Sequence, residues 1–478
     1  MICWWDMESD AGAAQKATCL SVSGVITDEN FKTISDFTFR SRLRKSRAFE
    51  VDAMLAHGIP LEKIENEPDS NGQLINKLEK KFNELKKQGA TFVGFNSYNY
   101  DNLLLSNSLF VNLKWPYITN SNQWDLLPAV RAASAFAPNS LAFQINEKGN
   151  RSYKLQAMLA ANHIKTLGAH DSLNDARSTR DLASLLFKRA PEVYKAATAL
   201  KSKNNVFPKI KDGIFCWHEA WRQTKIYCGM TLGQSIFPGW FYLFDLRQDP
   251  EKILAIAKDT QALTKSISAP KSYIRTLKSN RAPIIMPAHY SQYESDYREL
   301  GMKKIESRYK LLKSHREELC EKIQVIMRDK YEQKNLDQTE KEPEEMIYSL
   351  DTSKIRNDMD AFNLAEDILD KKKIYNKFGE HEHIKQLAKM KIYDDCSEEE
   401  FCKFLSKREL DKLKKRIANY LLDTSDKLSP FTKIPEQLAR LDTLKLQAES
   451  DKDDKKSLQL KSLDDHLVKM MAEYEKYL

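Results

Sequence analysis

Two acids two residues apart, Asp6 and Glu8, follow the apolar run Ile2-Cys3-Trp4-Trp5 at the start of the chain. On an extended strand, positions i and i+2 project from the same face, so both carboxylates would stand side by side. Like charges at that spacing repel, and a divalent cation held by oxygen ligands is the usual way to relieve them. A strand end with two solvated acids is the other reading of these residues alone. Further donors lie along the chain. In FNSYNYDN, Asp101 follows an apolar stretch at the start of a helical one, a position that suits either a ligand or a helix N-cap. In GAHDSLNDARST, His170 precedes a helix and Asp175 sits about one turn inside it, so a metal-binding acid and a base could address one site. Asp171 or Ser172 could equally cap that helix.

The elements that must carry these groups alternate. KATCLSVSGVIT and TISDFTFRSRL are strand-like, LINKLEKKFNELKKQ is helical, FVGFNS is a strand, and NLLLSNSLF is a helix. WDLL then reads as a short strand and PAVRAASAFA as a helix with Pro128 at its start. SLNDARSTRDLASLLFKRA closes the pattern as an amphipathic helix, so residues 1 to about 190 describe an α/β domain with a mixed sheet. ALKSKNNVFPKIKDG loses hydrophobic periodicity and reads as a linker. Short β-prone runs such as TKIYCGMTL and GWFYLFDL fill residues 205 to 290, and from about 295 the chain is helical; ESDKDDKKS is charged enough for an exposed loop.

The chain has 478 residues, room for roughly three domains. Its mean hydropathy of -0.59 fits soluble folded material, and it contains no apolar run long enough for a membrane span. No signal peptide is expected at the acidic N-terminus. Seven scattered cysteines without a CxxC pair exclude a disulfide scaffold and point to a reduced, cytoplasmic setting. The net charge of +8 arises from 76 bases against 68 acids, a weak pull towards polyanions. The distribution is more informative: KSISAPKSYIRTLKSNR holds five bases and no acid, so Lys271, Arg275 and Lys278 are candidate phosphate contacts, with a solvated basic loop as the alternative. CWHEAW lacks the second histidine of a zinc motif, and His381 and His383 in HEH read as polar surface.

The order Asp-x-Glu, later Asp, then His-x4-Asp resembles the DEDDh superfamily of 3′→5′ exonucleases, whose fold is ribonuclease H-like. The bacterial exonuclease I family is the nearer resemblance. DMESDA is similar to its DYETFG, with Asp6 and Glu8 matched and Ser9, Asp10 and Ala11 departing. GFNSYNYDN resembles its second motif with Asn96 and Asp101 in place, and QWDLLPAVRA resembles its RWDLL strand. SYKLQAMLAANHIKTLGAHDSLNDA is similar to SFRLEHLTKANGI…AHDAMADV. Beyond residue 200 the likeness thins to CGMTLGQ, APIIMPAHY and the helix from Tyr297.

That resemblance implies an exonuclease domain over residues 1–195, a small β-barrel-like accessory domain with a trailing helix over 205–345, and an all-α domain over 346–478, together enclosing single-stranded DNA. The implied activity is 3′→5′ hydrolysis of that DNA to 5′-mononucleotides, in repair or recombination. Two Mg²⁺ ions, replaceable by Mn²⁺, would be held by Asp6, Glu8, Asp101 and Asp175, with Glu8 near the attacking water and His170 as general base. Ser9 keeps a hydroxyl for the terminal sugar where the family has Thr, while Asp10 puts a charge where the family has an aromatic. Tyr98, Tyr100, Trp124 and Trp217 are aromatics more suited to core than to base stacking. A monomer that meets a single-strand-binding protein is the implied assembly. The rival readings are a DEDDh exoribonuclease, against which the residues after 200 argue, and a non-catalytic nucleic-acid clamp, against which the five matched positions argue.

Overall fold

The computed structural model describes residues 1–119, 122–165, 171–220, 223–268, 272–335, 341–425, 431–451 and 453–478. Five strands form the first sheet: β1 (Ile2–Ser9), β2 (Cys19–Thr27), β3 (Thr33–Arg40), β4 (Thr91–Gly94) and β5 (Gln123–Asp125). Their order is β3-β2-β1-β4-β5. β2 runs antiparallel to β1 and β3, and β4 is parallel to β1 and β5. This is the mixed α/β sheet expected from the sequence.

Alternation along β1 divides the domain into two cores. Trp5 packs edge-on against Phe82 of the helix Asn71–Lys87, with ring centroids 5.4 Å apart. Trp4 faces the other way, against Trp124 at 6.5 Å, and its indole N–H donates to Thr27 Oγ1 at 3.0 Å. That second face is covered by the helices Leu126–Phe136 and Ser172–Arg189. Because Trp4 is locked inward, Asp6 and Glu8 emerge on its side of the sheet.

A second five-stranded sheet comes next: β6 (Phe215–Ala220), β7 (Thr224–Gln234), β8 (Trp240–Asp245), β9 (Ile274–Lys278) and β10 (Met286–Pro287). It is antiparallel throughout, in the order β10-β6-β7-β8-β9, so β9 and β10 lie at opposite edges. Helices Pro250–Ile256 and Thr260–Ser268 are inserted between β8 and β9. Leu312, Leu319 and Ile323 of the helices Met302–Lys313 and Arg316–Asn335 share one core with Phe244 of β8 and Phe136 of the first domain.

Past Pro287 the described residues contain helices and turns but no strand. The last seven helices run from Arg356–Leu364 to Asp454–Glu475 and pack on Phe49, Met54 and Phe110 of the first domain. Two stretches are more ordered than their composition suggests. Within the expected linker, residues 206–210 form the helix Val206–Ile210, because Val206 and Ile210 find apolar partners in Phe215, Phe241 and Leu277. The expected loop ESDKDDKKS is mostly helical: Ile434–Asp451 ends there and Asp453 caps Asp454–Glu475 by accepting from the Lys456 N–H. Glu449, Asp451, Asp453, Asp454 and Lys455 are exposed while Ala448 and Leu460 are buried.

Candidate active site

β2 is the element that brings the helix-borne acid to the strand-borne ones. Ser23 lies opposite Asp6 and Ser21 opposite Glu8 in the β1–β2 register. Both serine hydroxyls meet the Ser172 hydroxyl, at 3.0 Å from Ser21 and 2.8 Å from Ser23, and Ser172 is the first residue of the helix that carries Asp175. Asp171 caps that helix, accepting from the Asn174 N–H at 3.2 Å. Asp6, Glu8 and Asp175 consequently offer carboxylate oxygens that all lie within 4.8 Å of one another. Gln156 steadies the cluster by donating to Asp175 Oδ1 at 3.0 Å.

Asp101 comes from the turn after β4. Gly94 permits that turn, since a Cβ there would come within 2.6 Å of Ser97 Cβ. Asn96 takes the left-handed conformation, φ 61°, which asparagine tolerates better than most residues. Asp125 then pins the segment: it accepts from the N–H of Asn96 at 2.8 Å, of Tyr98 at 3.1 Å and of Leu127 at 2.9 Å. Asp101 opens the helix Asp101–Val111 and receives the Met7 N–H on Oδ1 at 3.1 Å, which fixes it beside β1.

Burial and mutual repulsion move these acids together. Removal from water holds Asp6 well above the usual carboxylate range, and the charges of Asp101, Glu8 and Asp175 add to the rise. Burial, then Asp175 and Asp101, pushes Glu8 up to about 8. Asp101 is pushed up to about 7 by burial, less the help of two backbone N–H groups. The charged neighbours that act most on Asp6 and Glu8 are all acids. Such an oxygen-donor cluster of mutually repelling acids fits hard divalent cations.

The cluster lies in a cleft of about 880 Å³. Arg131, Arg151 and Lys154 line it together with Phe95, Tyr100 and Tyr153. The Tyr153 hydroxyl bridges Ser134 at 2.9 Å and Thr224 of β7 at 3.0 Å, and the Arg131 guanidinium lies 5.6 Å from its ring. These basic and aromatic residues did not stand out in the sequence. Their one signal was the placement of Arg151, Tyr153 and Lys154 in and beside the segment SYKLQAML.

The remaining predicted site residues are scattered. Asn96 lines the cleft. Ser9 is buried, its hydroxyl donating to the Ala11 carbonyl at 3.0 Å and meeting the Tyr100 hydroxyl. Arg275 pairs with Glu219 at 3.2 Å, and Lys278 lies 4.1 Å from the Trp240 ring; both are on β9 rather than in the cleft. His170 and Lys271 fall outside the described residues. Tyr98, Trp124 and Trp217 are core residues, whereas Tyr100 reaches the cleft. His381 precedes the helix Glu382–Asp395, and the described residues bring neither it nor His383 into a metal-binding group.

Residues 3–183 match the family model RNase_T, described as exonuclease. Exodeoxyribonuclease I of Buchnera aphidicola subsp. Schizaphis graminum is 27% identical over 242 residues, 48% of this chain. Over residues 3–183 the chain carries an exonuclease domain of the kind that model describes, and it is similar to bacterial exodeoxyribonuclease I. The aligned part spans 50% of that exodeoxyribonuclease I. Over the whole chain, the fold is that of exonuclease I from Methylocaldum szegediense, with a TM-score of 0.80, 20% identity and coverage of 98% of this chain and 99% of the other. E. coli exonuclease I in complex with a dA16 oligonucleotide superposes with a TM-score of 0.78 at 18% identity, again covering 98% and 99%. Against the family pattern that the sequence resembles, Asp10 is the notable departure. Its carboxylate accepts the Thr18 N–H at 2.6 Å and its carbonyl accepts the Glu50 N–H at 2.7 Å, so it organises the loop after β1 and does not line the cleft. Burial pushes its carboxyl up to about 6, against the pull of Thr18.

Proposed function

We propose that the protein is a 3′→5′ exodeoxyribonuclease that shortens single-stranded DNA to 5′-mononucleotides. The observation that carries this reading is the convergence of Asp6, Glu8 and Asp175, with Asp101 beside them, in a cleft walled by cations and aromatic rings. Asp6, Glu8, Asp101 and Asp175 would hold Mg²⁺, with Mn²⁺ as a substitute. When bound, a pair of such ions supplies charge that activates water and neutralises the phosphate and the leaving oxygen.

The rest falls to the chain. Arg131, Arg151 and Lys154 face the backbone phosphates, and Tyr100, Tyr153 and Phe95 offer faces to unpaired bases, which suits a single strand better than a stacked duplex. Glu8 sits nearest the expected position of the attacking water, and His170, whose ordinary titration lies near pH ~6.5, takes the proton from it. Gln156 keeps Asp175 oriented. The partners of this reading are single-stranded DNA and, through the family resemblance, a single-strand-binding protein, with a place in repair or recombination.

The test is a panel of 5′-labelled single-stranded DNA, the matching RNA and a blunt duplex, each with Mg²⁺ or with EDTA. Shortening of the single-stranded DNA from its 3′ end, with 5′-mononucleotides as product and no reaction in EDTA, is the expected outcome. Trimming of RNA alone would replace the reading with an exoribonuclease, and an intact panel would remove it.

A further inference from the structure

We propose that Arg281, on the accessory sheet, is a positioning residue of the active site: it clamps the Tyr98 carbonyl and so fixes the segment that delivers Asn96, Tyr100 and Asp101 to the cleft. The inference rests on the nuclease reading for its kinetic consequence but not for its structural one.

Arg281 ends the short 3-10 turn Ser279–Arg281 that follows β9. Its Nη1 donates to the Tyr98 carbonyl at 2.6 Å and to Asn99 Oδ1 at 3.3 Å, and its guanidinium lies 5.4 Å from the Tyr98 ring. Tyr98 is thereby held at three points: the N–H by Asp125 at 3.1 Å, the phenol by the Gln123 carbonyl at 3.2 Å, and the carbonyl by Arg281. The first two holds come from the exonuclease domain, the third from another sheet. From Tyr98 the chain reaches Tyr100 in the cleft wall and Asp101 at the cluster within three residues.

Backbone strain beside this contact argues that it is not incidental. Ala282, directly after Arg281, stands at φ 41°, ψ 64°. Unlike asparagine, which tolerates that region, alanine reaches it only where its surroundings over-determine it. Arg281 is itself absent from the residues lining the cleft, so its influence must pass through the segment it holds. Within the basic stretch KSISAPKSYIRTLKSNR, Arg281 is tied to the catalytic turn, Arg275 to Glu219, and Lys278 to the Trp240 ring.

The experiment compares wild type, Arg281→Ala, Arg281→Lys and, as a control, Arg316→Ala. Arg316 also joins two accessory elements, donating to the Lys211 carbonyl at 2.9 Å and pairing with Asp212 at 3.5 Å, with no hydrogen bond or ion pair to the first domain among the described residues. Two quantities are read on the full-length protein: amide hydrogen exchange over residues 96–102, and kcat and KM on single-stranded DNA with Mg²⁺. Arg281→Ala is expected to speed exchange in that segment and to lower kcat on the order of tenfold with KM nearly unchanged, since misplaced groups cost rate more than binding. Lysine, which keeps one donor for the carbonyl, is expected to recover part of both, and Arg316→Ala to match wild type. A raised KM at unchanged kcat would make Arg281 a DNA contact instead, and unchanged exchange would overturn the clamp. If wild type cuts no DNA, the nuclease reading fails while the exchange result alone decides the clamp.

Discussion

Burial and mutual repulsion hold Asp6 and Glu8 above the ordinary carboxylate range in the absence of a cation, and this has a measurable sign. A carboxyl whose pKa is raised on folding is ionised first in the unfolded chain. Through Glu8 the folded state therefore loses relative stability as pH climbs from about 4.5, its ordinary value, through about 8, its folded value, and Asp6 acts in the same direction. Thermal unfolding of the metal-free protein should show Tm falling across that window. Mg²⁺ should raise Tm more at pH 8 than at pH 5, because only the ionised cluster binds it well. A Mg²⁺ effect equal at both pH values would contradict the assignment. Asp6→Asn should separate function from stability: cleavage falls by about 10²–10³-fold, the worth of several kcal/mol of charge stabilisation. Near neutral pH the same change should raise the Tm of the metal-free protein, because an amide, unlike Asp6, takes up no proton on folding. These acids were legible because a period of two along a strand and one turn along a helix fix which residues share a face. Arg131 and Tyr153 were not, since they reach the cleft only through tertiary packing of Leu126–Phe136 against β7.

At the level of elements, the short strand β5 matters chiefly for its last residue. Asp125 ends β5, caps the helix Leu126–Phe136 and pins the turn after β4, three N–H donors in all. The helix begins at Leu126 rather than at Pro128, which falls in its first turn, where a missing N–H costs no helical bond. Asp125→Ala would leave those buried donors unpaired and should cost about 2–4 kcal/mol. Urea unfolding followed by circular dichroism measures this, and a loss under about 0.5 kcal/mol, typical of an unimportant surface site, would refute the role. Strands and long helices of the first domain were readable from periodicity. The helix Val206–Ile210 was not, because five residues are too few to display a period and its stability comes from the sheet it packs on. The charged end of Ile434–Asp451 was misread for the converse reason: charges on an exposed face do not break a helix whose other face is buried.

On the scale of the molecule, the accessory sheet and the terminal helices are extensions of the exonuclease domain's own cores. Asp394 shows how the helical region is fastened: it accepts from Arg44 Nε at 2.7 Å and from the Ser46 N–H and hydroxyl, both at 2.9 Å, with its side chain 3% exposed. Asp394→Ala leaves Arg44 buried without its partner and should cost about 3–5 kcal/mol in chemical unfolding. Asp52→Ala breaks the exposed pair with Arg440 and should cost no more than about 1 kcal/mol. Equal losses would mean that Asp394 is no fastening. Such long-range contacts were invisible to periodicity, which reports what each segment buries but not against what. The measurement that bears most directly on the central claim is the Mg²⁺ dependence of single-turnover cleavage of 5′-labelled single-stranded DNA by wild type and Asp6→Asn. The prediction is 3′-end shortening by wild type that saturates with Mg²⁺ and is nearly absent in the variant. Equal rates in the two proteins, or cleavage indifferent to Mg²⁺, would place the chemistry somewhere other than the acidic cluster.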